Sequence, residues 1–280
     1  MSFTEKIKWR SRHPIRNSWH FVDKIEAKSI AKQRAPECKI ARVIETYDFS
    51  SSSYVVKANH GSGWCIRVKD GKEINTGKTV ITDMLEKQAG LWLNKTYNRG
   101  RERQYVPIKP RVFFEEYIDD FLECRCFCFH GKLRFIMVDV DHSGEVRSTL
   151  YDVGWNRIRA RWRDPEGFGM QRPSNLNKMI SIVEQLAADM DFIRVDVYLK
   201  GPDVYFGEFT FTPNAGRGTI QPQRLDNIWG SYWKYDMSDS QGLRIPAGVE
   251  KLNVTSRFLT KMHKTAHMFA KDLRGILRHN

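Results

Sequence analysis

Two short runs of alternating apolar and polar side chains give the clearest structural prediction along the chain. Residues 193–198 and 204–211 are rich in β-branched and aromatic side chains and flank a Gly-Pro pair at 201–202. This pattern is typical of a β-hairpin. Successive side chains of a strand point to opposite faces. The residues predicted to share a face are Arg194, Asp196 and Tyr198 on the first strand, and Phe206, Glu208 and Thr210 on the second.

The length of the loop decides whether the polar residues of the two strands meet. A three-residue loop at 201–203 would place Asp196 opposite Glu208 and Arg194 opposite Thr210, whereas two or four residues would put the carboxylates on opposite faces. Two facing carboxylates need a cation between them, and oxygen ligands favour Mg²⁺ or Mn²⁺. The neighbouring arginine indicates a phosphate group. A surface ladder of mixed charge is the alternative interpretation.

A second predicted hairpin, residues 54–68, combines a lysine with a glycine turn. One strand brings Lys57 to its end, a turn follows at Gly61, Ser62 and Gly63, and a second strand returns. Glycine lets backbone N–H groups approach a phosphate closely, and the lysine would supply positive charge. An ordinary hairpin with a glycine turn is the alternative. The lysine precedes the glycines, which is the reverse of the order in protein kinases.

Helical spacing of apolar residues predicts further elements between these hairpins. Helices are predicted over 22–32, 81–97 and 174–188, the last with Ser174 as its N-cap. A third hairpin is predicted over 122–140.

Three motif-like stretches are not interpreted as ligand sites. Gly71–Thr79 resembles a Walker A loop but has one residue too many between its glycines. The Cys-x-Cys-x-Cys run at 124–128 has a spacing unlike that of structural zinc sites, and buried thiols are predicted instead. The calcium-like run at 139–150 ends in Leu150, where such a loop needs glutamate.

Composition narrows the setting in which the protein works. The 280 residues include no apolar run long enough to span a membrane and only five cysteines, so a cytoplasmic protein is expected, with a position at the inner membrane surface left open. A net charge of +13 implies an anionic partner: nucleotide phosphate, acidic polysaccharide, nucleic acid or an anionic membrane surface. A basic amphipathic helix at 249–279 would dock on the core, a membrane surface or a partner.

Six segments in the same order resemble the ATP-grasp superfamily, and more closely its TupA-like branch, named for teichuronopeptide biosynthesis. The resemblance covers residues from about 20 to 236. The segments are Val-Asp-Lys at 22–24, Val-Lys-Ala-Asn-His-Gly-Ser-Gly at 56–63, Glu-Glu-Tyr-Ile at 115–118, Phe-Cys-Phe-His-Gly-Lys at 127–132, Arg-Val-Asp-Val-Tyr at 194–198 and Phe-Gly-Glu-Phe-Thr-Phe at 206–211.

The resemblance implies an α+β fold in which ATP lies between two lobes, each with its own antiparallel sheet. The implied divisions are an N-terminal arm with a reduced N-terminal segment at 1–50, a small lobe at 51–118, a large lobe with the metal site at 119–236, and a linker with the basic helix at 237–280.

The resemblance also implies a role for each matching residue. Lys24 and Lys57 would hold phosphates under Gly61, Ser62 and Gly63; Glu115, Glu116, Tyr117 and Ile118 would contact adenine; and Glu123 would bind ribose. Asp196 and Glu208 would bind Mg²⁺, with two ions expected, and Arg194, Arg217 and Lys57 would act in catalysis. Thr210 stands where the superfamily often has an asparagine ligand, and Asn214 is the alternative third ligand.

The activity that the resemblance implies is an ATP-dependent carboxylate–amine ligase that works through an acyl phosphate. Its expected substrates are a carboxylate and an amine, with an amino acid or amine attached to an anionic surface polysaccharide or its precursor. The alternatives are an ATP-grasp phosphotransferase acting on a sugar hydroxyl, or a basic module that binds nucleic acid or a membrane surface. Nucleic acid is the least expected partner, because the lysine and both carboxylates of the ATP site are intact.

Overall fold

Six α-helices, two short 3₁₀ helices (Arg103–Tyr105 and Pro213–Gly216) and fourteen strands build the part of the chain that the computed structural model describes. This part comprises residues 1–44, 53–97, 101–142, 145–234 and 242–246. The helices are α1 (Phe3–Arg12), α2 (Ser18–Val22), α3 (Glu26–Arg34), α4 (Thr82–Leu93), α5 (Leu176–Leu186) and α6 (Gln223–Tyr232). The strands are β1 (Lys39–Ile40), β2 (Val43–Ile44), β3 (Tyr54–Ala58), β4 (Cys65–Lys69), β5 (Lys72–Glu73), β6 (Val112–Glu116), β7 (Leu122–Phe129), β8 (Lys132–His142), β9 (Glu145–Asp152), β10 (Arg157–Ile158), β11 (Arg161–Trp162), β12 (Phe192–Lys200), β13 (Asp203–Thr210) and β14 (Ile220–Gln221).

A five-stranded antiparallel sheet forms one wall of the fold, with the strand order β2-β6-β3-β4-β5. Alternation along β3 turns Tyr54 and Val56 toward α4, where they join a buried apolar cluster that includes Leu85. The other face of β3 carries Lys57, which pairs in register with Phe113 of β6. One face of this sheet therefore makes a core with α4, and the other face is available to a ligand.

A seven-stranded sheet, β1-β13-β12-β7-β8-β9-β10, forms the opposite wall. Helices α3 and α5 pack on one of its faces around a cluster that includes Val195 and Leu186. On the other face, α1 and α6 cover one end, where Phe3 packs against Phe127 and Phe192. The rest of that face, beyond these aromatic rings, lines a cavity.

The helix predicted at 22–32 begins only at Glu26, because an aspartate separates it from a shorter helix that ends at Val22. The carboxylate of Asp23 accepts hydrogen bonds from the backbone N–H groups of Ile25, at 2.9 Å, and Glu26, at 3.3 Å. A side chain that satisfies these free N–H groups favours the start of a new helix. The chain therefore ends α2 at Val22 and begins α3 at Glu26, and residue 24 lies in the turn between them.

Two other predicted helices differ only at their ends. Helix α4 ends four residues before the predicted end at 97, and Asn175, rather than Ser174, occupies the N-cap of α5. None of the helices in the described ranges is long and apolar enough to cross a membrane. The predicted helix at 249–279 lies outside the described residues.

The cysteines of β7 are buried thiols, as predicted. Cys124, Cys126 and Cys128 are free and fully buried on the face that packs against α3 and α5. Burial raises the pKa of Cys124 to about 12, because the thiolate would lose its hydration. Within the described residues, no group of three or more His, Cys, Asp and Glu side chains is arranged to hold a metal ion.

Candidate active site

A cavity of about 670 Å³ lies between the free face of the five-stranded sheet and the open part of the seven-stranded sheet. Charged side chains from both sheets, from α3 and from neighbouring turns and loops line it. The basic ones are Lys24, Lys28, Lys57, Arg125, Arg163, Arg194 and Arg217, and the acidic ones are Glu102, Glu115, Glu123, Asp164, Asp196 and Glu208. Such a mixture suits a polyanionic ligand that is bound together with a cation.

The β12–β13 hairpin brings the predicted carboxylates together. Asp196 pairs with Glu208, and Arg194 pairs with Thr210, as predicted. Arg194 donates two hydrogen bonds to Asp196, at 2.7 and 2.6 Å, and a third to Glu208, at 3.1 Å. The hydroxyl of Thr210 lies 3.2 Å from the same Glu208 oxygen. Two acids, an arginine and a hydroxyl therefore form one connected group on the floor of the cavity.

The predicted three-residue loop of this hairpin is wrong. Lys200 pairs with Asp203, so the loop contains only two residues. A bulge at Gly207 restores the pairing of the carboxylates, because it adds one residue to β13 between Phe206 and Glu208. The bulge also moves Phe206 off the predicted polar face and into the buried core.

Glycine is required at the bulge by the closeness of the neighbouring strand. A Cβ at Gly207 would lie 2.8 Å from the carbonyl oxygen of Asp196, a distance that real Cβ contacts do not reach. The bulge and its glycine together set which face Glu208 occupies.

Burial and charge act in opposite directions on the two acids. Burial, with Glu208 nearby, raises the pKa of Asp196, although Arg194 opposes the rise. Burial would also raise the pKa of Glu208, but Lys24, Arg194 and Lys57 together lower it below its usual value. Glu208 is therefore a carboxylate at neutral pH, and a bound cation would favour the charged form of Asp196 as well.

A lysine pair around Glu115 faces this hairpin from the five-stranded sheet. The Glu115 carboxylate, only 4% exposed, binds Lys57 through one oxygen and lies 2.8 Å from Lys28 through the other. Burial would raise the pKa of Glu115, but the two lysines lower it to about 2. Glu115 raises the pKa of Lys57 in turn, against the effect of burial. Two lysines held by one acid leave one positive charge for an anionic ligand.

Lys24 projects from the turn between α2 and α3. Its ammonium donates to the carbonyl of Gly61 and lies 4.0 Å from Glu208. Burial lowers the pKa of Lys24, and Glu208 partly opposes this effect. The turn is fixed from behind, since the amide of Asn59 donates to Asp23 at 2.8 Å. Lys24 thus links the glycine turn to the β12–β13 hairpin.

The glycine turn connects β3 to β4, as predicted. Ser62 and Gly63 line the cavity. His60 is buried, with its Nε2 atom 3.0 Å from the carbonyl oxygen of Trp92 and 3.2 Å from that of Lys95. These contacts give His60 a structural role in holding the turn to the end of α4.

The cavity does not include every residue that the sequence predicts for it. Among the described residues predicted to bind the nucleotide, Gly61, Glu116, Tyr117 and Ile118 lie outside its lining. Glu123 and Arg217 line it, as do Thr210 and Asn214, the two candidates for a third metal ligand. Lys78 of the rejected Walker-like stretch is exposed in a short hairpin and lies outside the lining.

Five charged residues of the lining are not among the site residues predicted from the sequence: Lys28, Glu102, Arg125, Arg163 and Asp164. Lys28 lies four positions after Lys24. In the predicted helix this spacing places both lysines on one face, and it is the sequence feature that points to Lys28. Arg125 pairs in register with Asp196. Alternation along β7 is the sequence feature that points to Arg125. Glu102 lies in a segment without periodicity, and nothing in the sequence points to it.

The residues of the hairpin fit a magnesium ion that is held jointly with phosphates. Their ligand atoms are carboxylate and hydroxyl oxygens, the kind that Mg²⁺ prefers. Proteins commonly bind Mg²⁺ through one or two carboxylates, while substrate phosphates and water supply the other ligands. The side chain of Glu208 is 31% exposed and lines the cavity. Its Oε2 atom lies 4.0 Å from the ammonium group of Lys24.

Two facing sheets with a glycine turn, paired lysines and paired carboxylates between them define the ATP-grasp class of proteins. Within that class, the sequence model of the TupA-like ATP-grasp family matches residues 5–234, and the chain belongs to this family. The predicted superfamily, branch and α+β fold are confirmed. None of the curated protein sequences compared with the chain matches it significantly.

Several solved structures are similar to the chain at low identity. A D-alanine–D-alanine ligase from Bacillus anthracis, complexed with ATP, is 15% identical with a TM-score of 0.38, over 69% of this chain and 55% of that one. The same enzyme from Helicobacter pylori is 15% identical with a TM-score of 0.40, over 70% and 52%. The ATP-grasp ligase PsnB, complexed with a minimal precursor, Mg and ADP, is 8% identical with a TM-score of 0.39, over 76% and 59%. The chain thus spans little more than half the length of these proteins.

Proposed function

We propose that the chain is an ATP-dependent ligase that joins a carboxylate to an amine through an acyl phosphate. The observation that carries the proposal is the facing arrangement in the cavity. Asp196, Glu208 and Arg194 form a connected group on one sheet, and Lys57 and Lys28 share Glu115 on the other. This arrangement supports a polyphosphate held between a metal ion and ammonium groups.

The lysines and the glycine turn are the proposed phosphate site. Lys24 and Lys57 would bind the phosphate oxygens, and the backbone N–H groups of the glycine turn would cover them. Mg²⁺ bound by Asp196 and Glu208 would supply positive charge that neutralises the polyphosphate. We propose two such ions, with Mn²⁺ as a substitute, and leave Thr210 and Asn214 as the candidates for the third ligand.

The remaining nucleotide contacts are proposed from the family resemblance. Glu123, which lines the cavity beside Arg125, is the proposed ribose partner. The connector at 115–118 is the proposed adenine contact. Since the carboxylate of Glu115 already binds two lysines, its share in that contact would come from the backbone.

The arginines would stabilise negative charge as it develops. An oxygen of the substrate carboxylate attacks the γ-phosphorus of ATP, ADP leaves, and an acyl phosphate results. The amine then attacks the carbonyl carbon, a C–N bond forms, and the C–O bond to phosphate breaks. Arg194 and Arg217 are the proposed partners of the oxyanion that forms between these two events. Arg217 is exposed at the cavity lining, where a substrate can reach it.

The proposed acceptor is an anionic saccharide or its precursor. The net charge of +13 favours an anionic partner. Arg163 lines the cavity with a side chain that is 63% exposed; it lies 3.3 Å from Asp164, and the exposed guanidinium can still meet an anion at the surface. A uronic-acid polysaccharide, to which an amino acid or an amine is attached, would supply the negative charge that such a protein favours.

Phosphate release from magnesium-ATP tests the proposal, with amino acids and sugar acids supplied singly and in pairs. A ligase releases phosphate only when both a carboxylate and an amine are present. Added hydroxylamine should trap the acyl phosphate as a hydroxamate. Phosphorylation of a sugar hydroxyl without any hydroxamate would indicate a phosphotransferase and would overturn the ligase proposal.

A further inference from the structure

Four arginines alternate with apolar residues through β10 and β11. Residues 157–163 read Arg-Ile-Arg-Ala-Arg-Trp-Arg. The apolar members face the aromatic cluster beneath α1 and α6, where Ala160 and Trp162 are buried and Ile158 packs against them. The arginines between them therefore point away from the core. The fully exposed ones are Arg159, Arg161 and Arg163.

The two-stranded sheet of β11 and β14 fixes the backbone beneath these arginines. Trp162 pairs with Ile220, and both side chains are buried in the aromatic cluster. On the opposite face of the same sheet, Arg161 pairs with Gln221, and both side chains are exposed. One face of this small sheet is thus part of the core, and the other presents polar and basic groups at the surface.

The row of arginines ends at the cavity. Arg163 lines the cavity, and so does Arg217 from the loop before β14. The indole N–H of Trp162 donates to the carbonyl oxygen of Arg217 at 3.3 Å, which ties the two segments together. Arg159 and Arg161 lie outside the lining. A basic patch, formed by Arg159, Arg161, Arg163 and Arg217, therefore runs from the protein surface to the edge of the cavity.

The acids beside the basic patch leave it with an excess of positive charge. They are Glu166, which lies 2.8 Å from Arg157 and 3.3 Å from Arg159, and Asp164, which lies 3.3 Å from Arg163. Residues 157–166 thus carry four arginines and two acids. The side chains of Arg159 and Arg163 are 75% and 63% exposed. Exposed ion pairs are weak, so these guanidinium groups can exchange their partners for the anionic groups of a ligand.

The spacing of the basic patch favours a polymer over a small anion. Arg159, Arg161 and Arg163 are two residues apart, which separates successive positions by at most about 7 Å along the backbone. A single carboxylate engages one of them at a time. A linear chain with a carboxylate on every unit engages several, and such contacts reinforce each other. Guanidinium groups suit this ligand, because they bind carboxylates through two parallel hydrogen bonds.

We propose that the basic patch binds a linear polymer of uronic acids and places one of its carboxylates in the cavity. The inference rests on the proposed ligase function and narrows its substrate to a polymer chain rather than a single-sugar precursor. One uronate would react at the γ-phosphorus while its neighbours stay on Arg159 and Arg161. The bond chemistry is that of the proposed ligase, so an ammonium substrate yields the amide, hydrogen phosphate and one proton. A nucleic acid also repeats a negative charge, but it has no carboxylate for this reaction.

Binding of galacturonate oligomers in the absence of ATP tests the basic patch separately from the chemistry. In isothermal titration calorimetry, the wild type should bind hexagalacturonate about tenfold or more tighter than digalacturonate, because the longer chain reaches more arginines. The double variant Arg159→Gln with Arg161→Gln should lose most of this difference. Its affinity for the hexamer should also depend less steeply on salt, because fewer charges are paired.

Arg172→Gln with Lys178→Gln is the matched control, because it removes the same charge from exposed side chains elsewhere. Arg172 donates to Asn177 of α5 at 3.0 Å, and Lys178 donates to the carbonyl of Pro202 at 3.1 Å. Helix α5 packs on the face of the seven-stranded sheet that does not line the cavity. The control should bind the hexamer as the wild type does. Urea denaturation shows whether both double variants keep the wild-type stability.

Equal weakening in the two double variants would overturn the inference, because net charge alone would then account for binding. A wild type that binds dimer and hexamer equally would overturn it as well. Tighter binding of a single-stranded oligonucleotide of equal charge would overturn the choice of a uronic-acid polymer. These results leave the ligase proposal standing. A wild type that binds the hexamer as expected, but releases no phosphate from magnesium-ATP with any carboxylate and amine, would refute the ligase proposal and leave the binding surface in place.

Discussion

Replacing Glu115 with glutamine removes the shared partner of two buried lysines while keeping the shape of the side chain. The pKa of Glu115 falls from its usual 4.5 to about 2 in the folded protein. That fall corresponds to about 3 kcal/mol of stability at pH 7. Glu115→Gln should therefore lower the free energy of unfolding by about this amount, since Lys28 and Lys57 lose their counter-charge.

The sign of the pH dependence follows from the lowered pKa. Stability from an acid whose pKa is depressed is complete above its unfolded value and is lost as the pH falls toward its folded value. The difference between wild type and Glu115→Gln should thus be largest at pH 5 and above and should shrink to roughly half by pH 3. Urea denaturation at pH 7, 5, 4 and 3 measures it.

Glu116→Gln is the matched control for this measurement. Glu116 is the next residue, its side chain is 38% exposed, and it lies 3.9 Å from Arg42. Exposed ion pairs of this kind contribute little, so the control should change stability by less than about 1 kcal/mol at any pH. A difference between wild type and Glu115→Gln that does not vary with pH would refute the assignment of a charged, lysine-bound Glu115.

Two further substitutions test the phosphate site and the hairpin. Lys57→Ala should abolish the thermal stabilisation by magnesium-ATP, whereas Lys78→Ala should leave it intact, because Lys57 lines the cavity and Lys78 does not. Equal effects of the two substitutions would refute the assignment of the phosphate site to Lys57 rather than to the Walker-like stretch. Gly207→Ala should destabilise the protein by roughly 1–3 kcal/mol in urea denaturation and weaken the magnesium dependence of ATP binding, because the added methyl group meets the carbonyl of Asp196 at 2.8 Å. A Gly207→Ala protein with unchanged stability would show that the bulge does not need glycine.

The sequence predicts the polar hairpin correctly but for a wrong reason. Alternation identifies Asp196 and Glu208, and the structure pairs them. A period of two cannot reveal an inserted residue, so alternation misses the bulge at Gly207 and predicts a loop that is one residue too long. The two errors cancel, which is why the facing carboxylates are right while Phe206 is placed on the wrong face.

Residues whose role depends on distant contacts are the ones that sequence patterns miss. Lys28 contacts Glu115, and that pairing depends on how α3 packs against the five-stranded sheet. Glu102 receives its hydrogen bond from Thr212, 110 positions later in the chain. Helical spacing relates Lys28 to Lys24 but does not identify Glu115 as its partner, and nothing local relates Glu102 to Thr212. Lys57 and the glycine turn, in contrast, lie within one hairpin and are predicted together.

Thermal stabilisation by magnesium-ATP in a double variant, Asp196→Asn with Glu208→Gln, tests the central claim most directly. At a ligand concentration one hundred times its Kd, binding contributes about 2.7 kcal/mol, which should raise the Tm of the wild type by roughly 5–10 °C. The double variant, compared with and without magnesium-ATP, should lose most of this rise and all ATP turnover. A double variant with the same rise in Tm and the same turnover as the wild type would contradict the assignment of these two carboxylates as the metal site.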